Sequence, residues 1–349
     1  MLSFSNIEFL VWVRCFTFNH APYIVDTMNG FTKQRTTFPY ICTIVDDAST
    51  DGEPEAIRKY VEQYFDLDDA ATVHHEETSD YNLLYARHKE NKNCYFAIYW
   101  LKYNHHSINK SKLLYLSGWS DVKYKAICEG DDYWASTEKI QRQASFLEDN
   151  CDYVMIYSSA KILKKGRMDG IIGFKTCDFE SIIKNNGIPT LTTMFRQEIY
   201  KKYYNEIIPI TPQKWMMGDY PLWLFLSLNG KIQYINEPLC VYRKLEESAS
   251  HSTNQQKSLL FAESICQIRI FFIQYVEQIS GLKRTSLRKQ VAKENIKRVL
   301  SVYFSFKDFE GANNYLREKR KDLSFYSLFT MELRILKHVL QDLLGANKF

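Results

Sequence analysis

Residues 124–134 read YKAICEGDDYW, an apolar run that ends directly on acidic residues. Tyr124 to Cys128 has the composition of a buried strand, and Glu129, Asp131 and Asp132 follow it at once. A helical pattern comes next, over residues 136–148. A strand that stops on a polar turn before a helix is the repeating unit of α/β proteins. This stretch therefore predicts an α/β fold in which carboxylates follow a strand.

The same rhythm occurs nearer the N-terminus, where apolar strands alternate with amphipathic helices. The predicted elements there are a strand over Phe9–Phe16, a helix over 23–33, a strand over Tyr40–Val45, a helix over about 53–65 and a short strand near Ala71–His75. Such alternation is typical of a mostly parallel, Rossmann-like sheet flanked by crossover helices.

Two acidic pairs follow predicted strands, Asp46-Asp47 after the second and Asp131-Asp132 after the later one. In open α/β sheets, ligands bind beyond the carboxyl ends of the strands. The two pairs therefore predict a binding site at this edge of the sheet.

The pair Asp131 and Asp132 predicts a divalent cation site. Adjacent carboxylates repel each other unless a cation neutralises them, and hard oxygen ligands suit Mn²⁺ or Mg²⁺ shared with substrate phosphates. The alternative is a surface turn that caps the following helix.

The second pair, Asp46-Asp47, suggests recognition of a nucleobase. A carboxylate of this pair can accept the N3–H of uracil, and charge strengthens that bond. Phe16 and Phe18, at the end of the first strand, would give the base an apolar face. The alternative is an Asx turn capping the next helix.

Three motifs appear in order along the chain: Arg14–His20 (RCFTFNH), Val45–Gly52 (VDDASTDG) and Cys128–Trp134 (CEGDDYW). Their order and intervals resemble the family 2 glycosyltransferases of bacterial polysaccharide assembly, which share the GT-A fold. The resemblance covers roughly residues 6–245. It predicts domains at 1–252, with the GT-A nucleotide-sugar transferase fold, and at 253–349, a helical C-terminal extension.

The resemblance implies roles for particular residues. Asp47 would contact uracil, and Asp131 with Asp132 would match the family's Asp-x-Asp motif, which binds ribose and the divalent metal. Glu129 stands where many relatives carry an aspartate, and its carboxylate can still accept a ribose hydroxyl. Asp219, at a predicted helix start, would be the general base of an inverting transfer, although Gly218 precedes it where relatives carry glutamate.

Two of these residues also have plainer interpretations. Asp219 is a good N-cap for a helix over 220–228, with Pro221 in its first turn. Arg243 follows a strand-like run over Ile232–Tyr242 and could reach the diphosphate as a bidentate donor, or be an ordinary surface arginine.

Composition and charge indicate the cellular compartment of the protein and exclude one class of partner. The net charge is only +4, and basic residues are interleaved with acidic ones along most of the chain, which argues against nucleic-acid binding. Eight cysteines occur singly with no C-x-x-C pair, as expected of free thiols in a reducing compartment. With no leader pattern and no continuous apolar span of about 20 residues, the sequence predicts a cytoplasmic protein.

From residue 258 onward the pattern is helical, with alternating basic and apolar residues. These helices could form a homodimer surface, a lid over the acceptor, or a patch that meets the cytoplasmic face of the inner membrane. The commoner explanation of such a pattern is a solvated helical bundle.

The predicted partners are a nucleotide-sugar donor, a UDP-hexose or UDP-N-acetylhexosamine, and a saccharide or lipid-linked glycan acceptor. The sequence lacks G-x-x-x-x-G-K-[ST], G-x-G-x-x-G, G-x-S-x-G and H-E-x-x-H motifs. Two alternatives stay open: a nucleotidyltransferase, which would normally need a Gly-rich basic loop near the first strand, and a catalytically silent sugar-nucleotide or glycan-binding module.

Overall fold

The computed structural model describes residues 7–211, 215–246, 252–320 and 330–339. They form two compact units. Unit 1 comprises the described residues within Met1–Asp178, Gly187–Ile210 and Phe225–Lys244, and unit 2 those within Phe179–Asn186, Thr211–Leu224 and Leu245–Phe349. The chain crosses between the units more often than a single boundary at residue 252 implies.

Unit 1 contains one mixed sheet of twelve strands. In chain order these are β1 (Val11–Thr17), β2 (Tyr40–Asp46), β3 (Phe65–Asp66), β4 (His74–Glu77), β5 (Tyr81–His88), β6 (Cys94–Leu101), β7 (Tyr124–Ile127), β8 (Tyr133–Trp134), β9 (Tyr153–Lys164), β10 (Arg167–Ile172), β11 (Met194–Arg196) and β12 (Lys231–Arg243). The spatial order is β3-β5-β6-β2-β1-β7-β11-β9-β12-β8, with β10 beside β9 and β4 beside β5.

The described helices flank this sheet or build unit 2. They are α1 (Ile24–Thr32), α2 (Glu53–Tyr64), α3 (Lys139–Asp149), α4 (Phe179–Lys184), α5 (Gln197–Glu206), α6 (Asp219–Asn229), α7 (Gln255–Ser280), α8 (Thr285–Ser305) and α9 (Phe309–Glu318). Short 3₁₀ helices occupy Lys112–Trp119, Thr190–Thr192 and Ile208–Ile210, and residues 330–339 are also helical.

The centre of the sheet is parallel, as the sequence predicts. Strands β6, β2, β1 and β7 run in the same direction, and β9 pairs with β12 in parallel. The other pairs are antiparallel, including β5 with β6 and β11 with both β7 and β9. The α/β class is therefore confirmed, and the sheet as a whole is mixed because strands β5, β8, β10 and β11 run in the opposite direction.

Both faces of β1 are buried. Val11, Val13 and Cys15 belong to a core cluster that includes residues of α1, α2 and α3, whereas Trp12 joins a second cluster that includes the 3₁₀ helix Lys112–Trp119. Because side chains alternate across a strand, this arrangement requires apolar residues on both faces of the sheet. The parallel pairing of β1 with β2 and with β7 places the carboxyl ends of these three strands at one edge of the sheet.

Unit 2 is built mainly from α7, α8 and α9. Asn254 caps α7 by accepting the Lys257 N–H at 3.0 Å, and Gly281 ends the helix in the left-handed conformation at φ 67°. Asp308 caps α9 by accepting the Gly311 N–H at 2.8 Å. These caps satisfy backbone groups that each helix terminus would otherwise leave without partners.

Within the described residues, α7 is the one helix long and apolar enough to cross a membrane, judged by length and composition alone. Of its most apolar stretch, 44% is buried inside the protein. The core helix of a soluble protein has the same character, so this is weak evidence for a membrane span.

All eight cysteines are free, and Cys15, Cys42, Cys94, Cys128 and Cys240 are buried. This agrees with the prediction that the chain carries separate thiols rather than a disulfide framework.

Candidate functional site

The acidic segment Glu129–Asp132 lies against the carboxyl end of β1. The Gly130 N–H donates to the Phe16 carbonyl at 3.0 Å, and the Thr27 hydroxyl contacts the Gly130 and Asp132 carbonyls at 2.9 and 2.6 Å. This position follows from the parallel pairing of β7 with β1. The structure therefore brings the predicted acidic segment beside Phe16, at the carboxyl edge of the parallel strands.

Gly130 is required by this close packing. A Cβ atom at this position would lie 2.0 Å from the Thr17 hydroxyl oxygen and 2.5 Å from the Thr17 Cβ. Thr17 cannot retreat easily, because it is 2% exposed and its hydroxyl also bonds to the buried Glu53.

Gly130→Ala is therefore expected to lower the free energy of unfolding by about 1–3 kcal/mol, the usual cost of overpacking. Urea unfolding measures the change. Gly218→Ala is a suitable control, because no atom lies within 4 Å of the added Cβ. Equal stability of the two variants would contradict the packing described for residues 129–132.

The two aspartates of the segment differ in their surroundings. Asp132 is 5% exposed, and its Oδ1 accepts the Arg243 backbone N–H at 2.7 Å. Burial, followed by the charge of Asp131, raises the pKa of Asp132 well above its ordinary value. Asp131 is only half-buried, and no described residue donates a hydrogen bond or forms an ion pair with its carboxylate. Asp131 is thus the more available ligand.

Arg243 holds the acidic segment to neighbouring elements. Its guanidinium donates to the Asp131 carbonyl at 2.8 Å and pairs with Asp26, and it lies over the Tyr23 and Tyr133 rings at 5.0 and 4.7 Å. At 7% exposure this side chain is no ordinary surface arginine. Its predicted contact with a diphosphate stays a prediction.

Glu129 bonds to strand β1 in this structure. Its carboxylate accepts from Arg14 Nη2 at 3.1 Å and from the Phe16 N–H at 3.2 Å. Its side chain keeps 37% of its surface exposed, so lone pairs remain for a further donor. The predicted contact with a ribose hydroxyl therefore stays a prediction.

Two cationic side chains lie close to the Phe16 ring. The Arg14 guanidinium is 4.5 Å from the ring centroid, and Lys112 Nζ is 5.1 Å from it. Phe16 is half-buried, whereas Phe18 is 42% exposed. The predicted role of both rings as a face for a base stays a prediction, and the two cations beside Phe16 are paired with the carboxylates of Glu129 and Asp47.

The Asp47 carboxylate bonds to the loop over residues 105–112. It is fully buried, with Oδ1 accepting the His105 N–H at 2.6 Å and Oδ2 accepting the His106 N–H at 3.2 Å and Lys112 Nζ at 3.0 Å. Three of the roughly four acceptor positions of a carboxylate are thus filled from the protein. The structure shows a clamp on residues 105–112, and direct contact with uracil stays a prediction.

A second carboxylate, Asp80, fixes the same loop from its other side. It accepts from Tyr103 at 2.6 Å and from Lys110 and Tyr115 at 2.9 Å each. These hydrogen bonds lower the pKa of Asp80 well below its ordinary range, and the bond from Lys110 has the largest effect. His105 joins the network through Nε2, 2.7 Å from the Tyr115 hydroxyl oxygen. The loop that carries Lys112 is therefore held by buried and half-buried polar bonds.

The loops after β1 and β2 are joined through Glu53. This buried carboxylate accepts from the Thr17 and Ser49 hydroxyls and from the His20 N–H at 2.9 Å. The polar stretch 46–53 thus does more than end a strand and start α2. It positions the end of β1, which the acidic segment contacts.

Asp46 is 1% exposed beside these groups. Burial, with the charges of Glu53 and Asp47 adding to it, raises the pKa of Asp46 from 3.8 to about 6, and hydrogen bonds from Ser49 oppose the change. Between those pH values the folded state binds more protons than the unfolded chain. Protonated Asp46 therefore stabilises the folded state, fully below pH 3.8, and this stabilisation is lost as the pH rises through about 6.

The Asp46→Asn variant, whose amide oxygen can still accept the Ser49 N–H, should gain stability relative to wild type as the pH rises. The expected difference between pH 4 and pH 7 is about 2 kcal/mol in the free energy of unfolding. Urea unfolding of both proteins across this range measures it. A difference that does not change with pH would refute the raised pKa.

Asp219 is the first residue of α6 and belongs to unit 2. Its Oδ1 accepts the Tyr220 N–H at 2.7 Å, so it satisfies one of the first backbone donors of the helix. An N-cap side chain usually accepts the second or third N–H of its helix, so the capping interpretation stays a prediction. The role of general base stays a prediction.

Arg14, Lys112, Glu53 and Asp80 were missed as functional candidates in the sequence. The alternation of Trp12, Arg14 and Phe16 on one face of β1 could have indicated Arg14. Lys112 and Asp80 carry no such signal, because their partners are far away in the chain.

Three cavities of about 740, 550 and 650 Å³ are lined by other residues. The first lies at the amino ends of β9 and β12 and includes Phe174 and Tyr234, and the second lies beside α2 and β5. The third is in unit 2. The candidate site is therefore defined by its side chains rather than by these cavities.

No protein-family model matches this chain. Three curated proteins match it, among them the uncharacterized proteins Mb1547 of Mycobacterium bovis and Rv1520 of Mycobacterium tuberculosis, each 24% identical over 241 residues. The match covers 68% of this chain and 59% of each relative, so it spans less than two thirds of their length.

Similar solved structures include S. aureus TarS 1–349 in complex with UDP-GlcNAc, with 16% identity, a TM-score of 0.49, and coverage of 90% of this chain and 93% of TarS. Another is the mannosyltransferase PcManGT from Pyrobaculum calidifontis with GDP-Man and Mn²⁺, with 13% identity, a TM-score of 0.48, and coverage of 97% and 88%.

Proposed function

We propose that this protein is a glycosyltransferase that takes a sugar from a uridine diphosphate donor and transfers it to a saccharide or lipid-linked acceptor. The observation that carries the proposal is the position of Glu129–Asp132, beside Phe16 at the carboxyl edge of the parallel strands. Ligands of open α/β sheets bind at this edge. The three sequence motifs that resemble family 2 glycosyltransferases contribute to this same edge.

A divalent cation, Mn²⁺ or Mg²⁺, fits the chemistry of this site. Among the described residues no group of three or more His, Cys, Asp or Glu side chains could hold a metal. Cations of this kind are commonly bound by one or two carboxylates together with substrate phosphates and water. Asp131 would supply such a carboxylate, with Asp132 behind it, and the bound ion would offset negative charge on the departing diphosphate.

The remaining residues would orient the donor. Phe16, with Phe18 and the loop held by Asp47, would hold the uracil, and Glu129 would accept a ribose hydroxyl. Arg14 and Lys112 lie beside Phe16 and are paired with Glu129 and Asp47, so they would fix the position of the ring against which the base packs. Fixing the donor in one pose lowers the entropic cost of reaching the transition state.

The proposed transfer is a single displacement with inversion at the anomeric carbon. Asp219 would accept the proton of the acceptor hydroxyl as its oxygen bonds to that carbon and the bond to the nucleoside diphosphate breaks. Arg243 would keep the acidic segment in place. The enzyme would act in the cytoplasm, in the assembly of a cell-surface polysaccharide.

Incubation with Mn²⁺ and a panel of UDP- and GDP-sugars, followed by measurement of the free nucleoside diphosphate, tests the proposal. We expect release of UDP that stops when EDTA removes the metal and returns when Mn²⁺ is added in excess. Donor binding without turnover on any acceptor would instead indicate a silent binding module. Release of pyrophosphate from a nucleoside triphosphate and a sugar phosphate would indicate a nucleotidyltransferase.

A further inference from the structure

Unit 2 contains a cavity of about 650 Å³ with a strongly basic lining. One carboxylate, Glu294, and several polar side chains also line it. The basic residues of the lining are Lys184, Arg269, Lys293, Lys297, Arg298 and Arg334. They come from α4, α7, α8 and the helix at 330–339, so the fold collects cations from separate parts of the chain.

Two of the six cations have carboxylate partners. Lys297 pairs with Glu294 at 2.7 Å, and Lys184 lies 3.8 Å from Glu180. In the part of the chain that the structure describes, no carboxylate forms an ion pair with the other four. The cavity lining therefore carries a net positive charge that ion pairs with carboxylates of the described residues do not neutralise.

Arg269 is the strongest indication of a ligand. It is 2% exposed, and its guanidinium donates to the Tyr220 hydroxyl at 3.1 Å, the Asn295 side-chain oxygen at 2.9 Å and the Lys184 carbonyl at 2.8 Å. All three acceptors are neutral. Each guanidinium nitrogen has one hydrogen-bond partner, but no described carboxylate neutralises the charge, and a buried charge is costly without a counter-ion.

Arg298 adds a second charge close to the first. Burial, followed by repulsion from Arg269, lowers the pKa of the Arg298 guanidinium. Lys293 and Lys297 lie on the same helix, five residues and one residue before it, and Ser301 lies three residues after it and also lines the cavity. An anion among these side chains would relieve the repulsion and accept bidentate bonds from arginine.

We propose that this cavity is a binding site for a phosphate-bearing ligand, separate from the site at Asp131. The basic lining identifies a phosphoryl group as the ligand, because phosphate pairs with clustered Arg and Lys side chains. The volume leaves room for more than a single phosphate ion, so a diphosphate or a phosphorylated glycan is accommodated. The phosphate can belong to a soluble molecule or to a lipid headgroup.

The test uses the full chain in EDTA, so that metal-dependent binding at Asp131 does not contribute. Inorganic pyrophosphate is titrated calorimetrically at low salt, and sedimentation with phosphatidylglycerol vesicles is compared with phosphatidylcholine vesicles. The test variant is Lys293→Gln/Arg298→Gln. The matched control is Lys283→Gln/Lys289→Gln, which removes the same charge from exposed positions outside the cavity.

We expect the wild type and the control to bind pyrophosphate, and the Lys293→Gln/Arg298→Gln variant to bind about tenfold or more weakly. Because Arg298 is repelled by Arg269, the test variant should fold with unchanged or higher thermal stability. Vesicle binding that this variant alone loses would assign the phosphate to a lipid, and pyrophosphate binding without vesicle binding would assign it to a soluble ligand. No binding of either probe by the wild type, or equal binding by both variants, would overturn the proposal.

Discussion

Asp131→Asn is expected to lower the rate of UDP release by about 100-fold or more, the usual effect of removing one group that stabilises transition-state charge. The Asp131 carboxylate faces no described donor, so it is free to bind a cation together with the donor's phosphates. The amide that replaces it carries no charge. Steady-state assays at saturating Mn²⁺ measure the loss.

Asp132→Asn provides the matched control. Asp132 is 5% exposed and therefore less accessible to a cation than the half-buried Asp131, and an amide has nearly the same shape as its carboxylate. Its oxygen can still accept the Arg243 N–H. We expect less than about a tenfold loss of rate. Equal losses in the two variants would mean that Asp132 shares the metal, and a loss only in Asp132→Asn would assign the metal to it.

Asp47→Asn is expected to reduce the free energy of unfolding by about 3 kcal/mol, in the range measured when one member of a buried ion pair is removed. The substitution removes the partner of Lys112 and places an NH₂ group where the carboxylate accepted a backbone N–H. The loop over 105–112 should loosen as well. Urea unfolding and protease sensitivity of this loop measure both effects.

Asp68→Asn is the control for that loss, because Asp68 is exposed and the structure shows no ion pair to it among the described residues. Its change should stay within about 0.5 kcal/mol. If Asp47→Asn were as stable as Asp68→Asn, the clamp on residues 105–112 would not be a stabilising interaction.

The sequence predicts the parallel core of the sheet well. The runs at Phe9–Phe16, Tyr40–Val45 and Tyr124–Cys128 become β1, β2 and β7 with boundaries shifted by one or two residues. Their apolar composition is that of strands buried on both faces. The parallel pairing then fixes which ends meet, so the convergence of Asp47, Phe16 and Asp131 on one edge was predictable.

The sequence predicts less about the remaining strands and the side chains. Strands β5 and β6 were not predicted, although Cys94–Leu101 is an apolar run that fills a place beside β2. The carboxylates of Asp131 and Asp132 differ because the backbone N–H of Arg243, 111 residues after Asp132, donates to the Asp132 carboxylate, whereas Arg243 reaches Asp131 only at its backbone carbonyl. Likewise, Asp47 is buried by a loop about 60 residues away. Such long-range partners leave no local pattern.

The central claim is a cation-dependent nucleotide site at the acidic segment after β7, and calorimetric titration of UDP tests it most directly. The account predicts that wild-type protein binds UDP in Mn²⁺, that EDTA weakens this binding strongly, and that Asp131→Asn shows only the weak, metal-independent binding. Binding of UDP that is equally strong in EDTA and in Asp131→Asn, or no binding in Mn²⁺ at all, would contradict it.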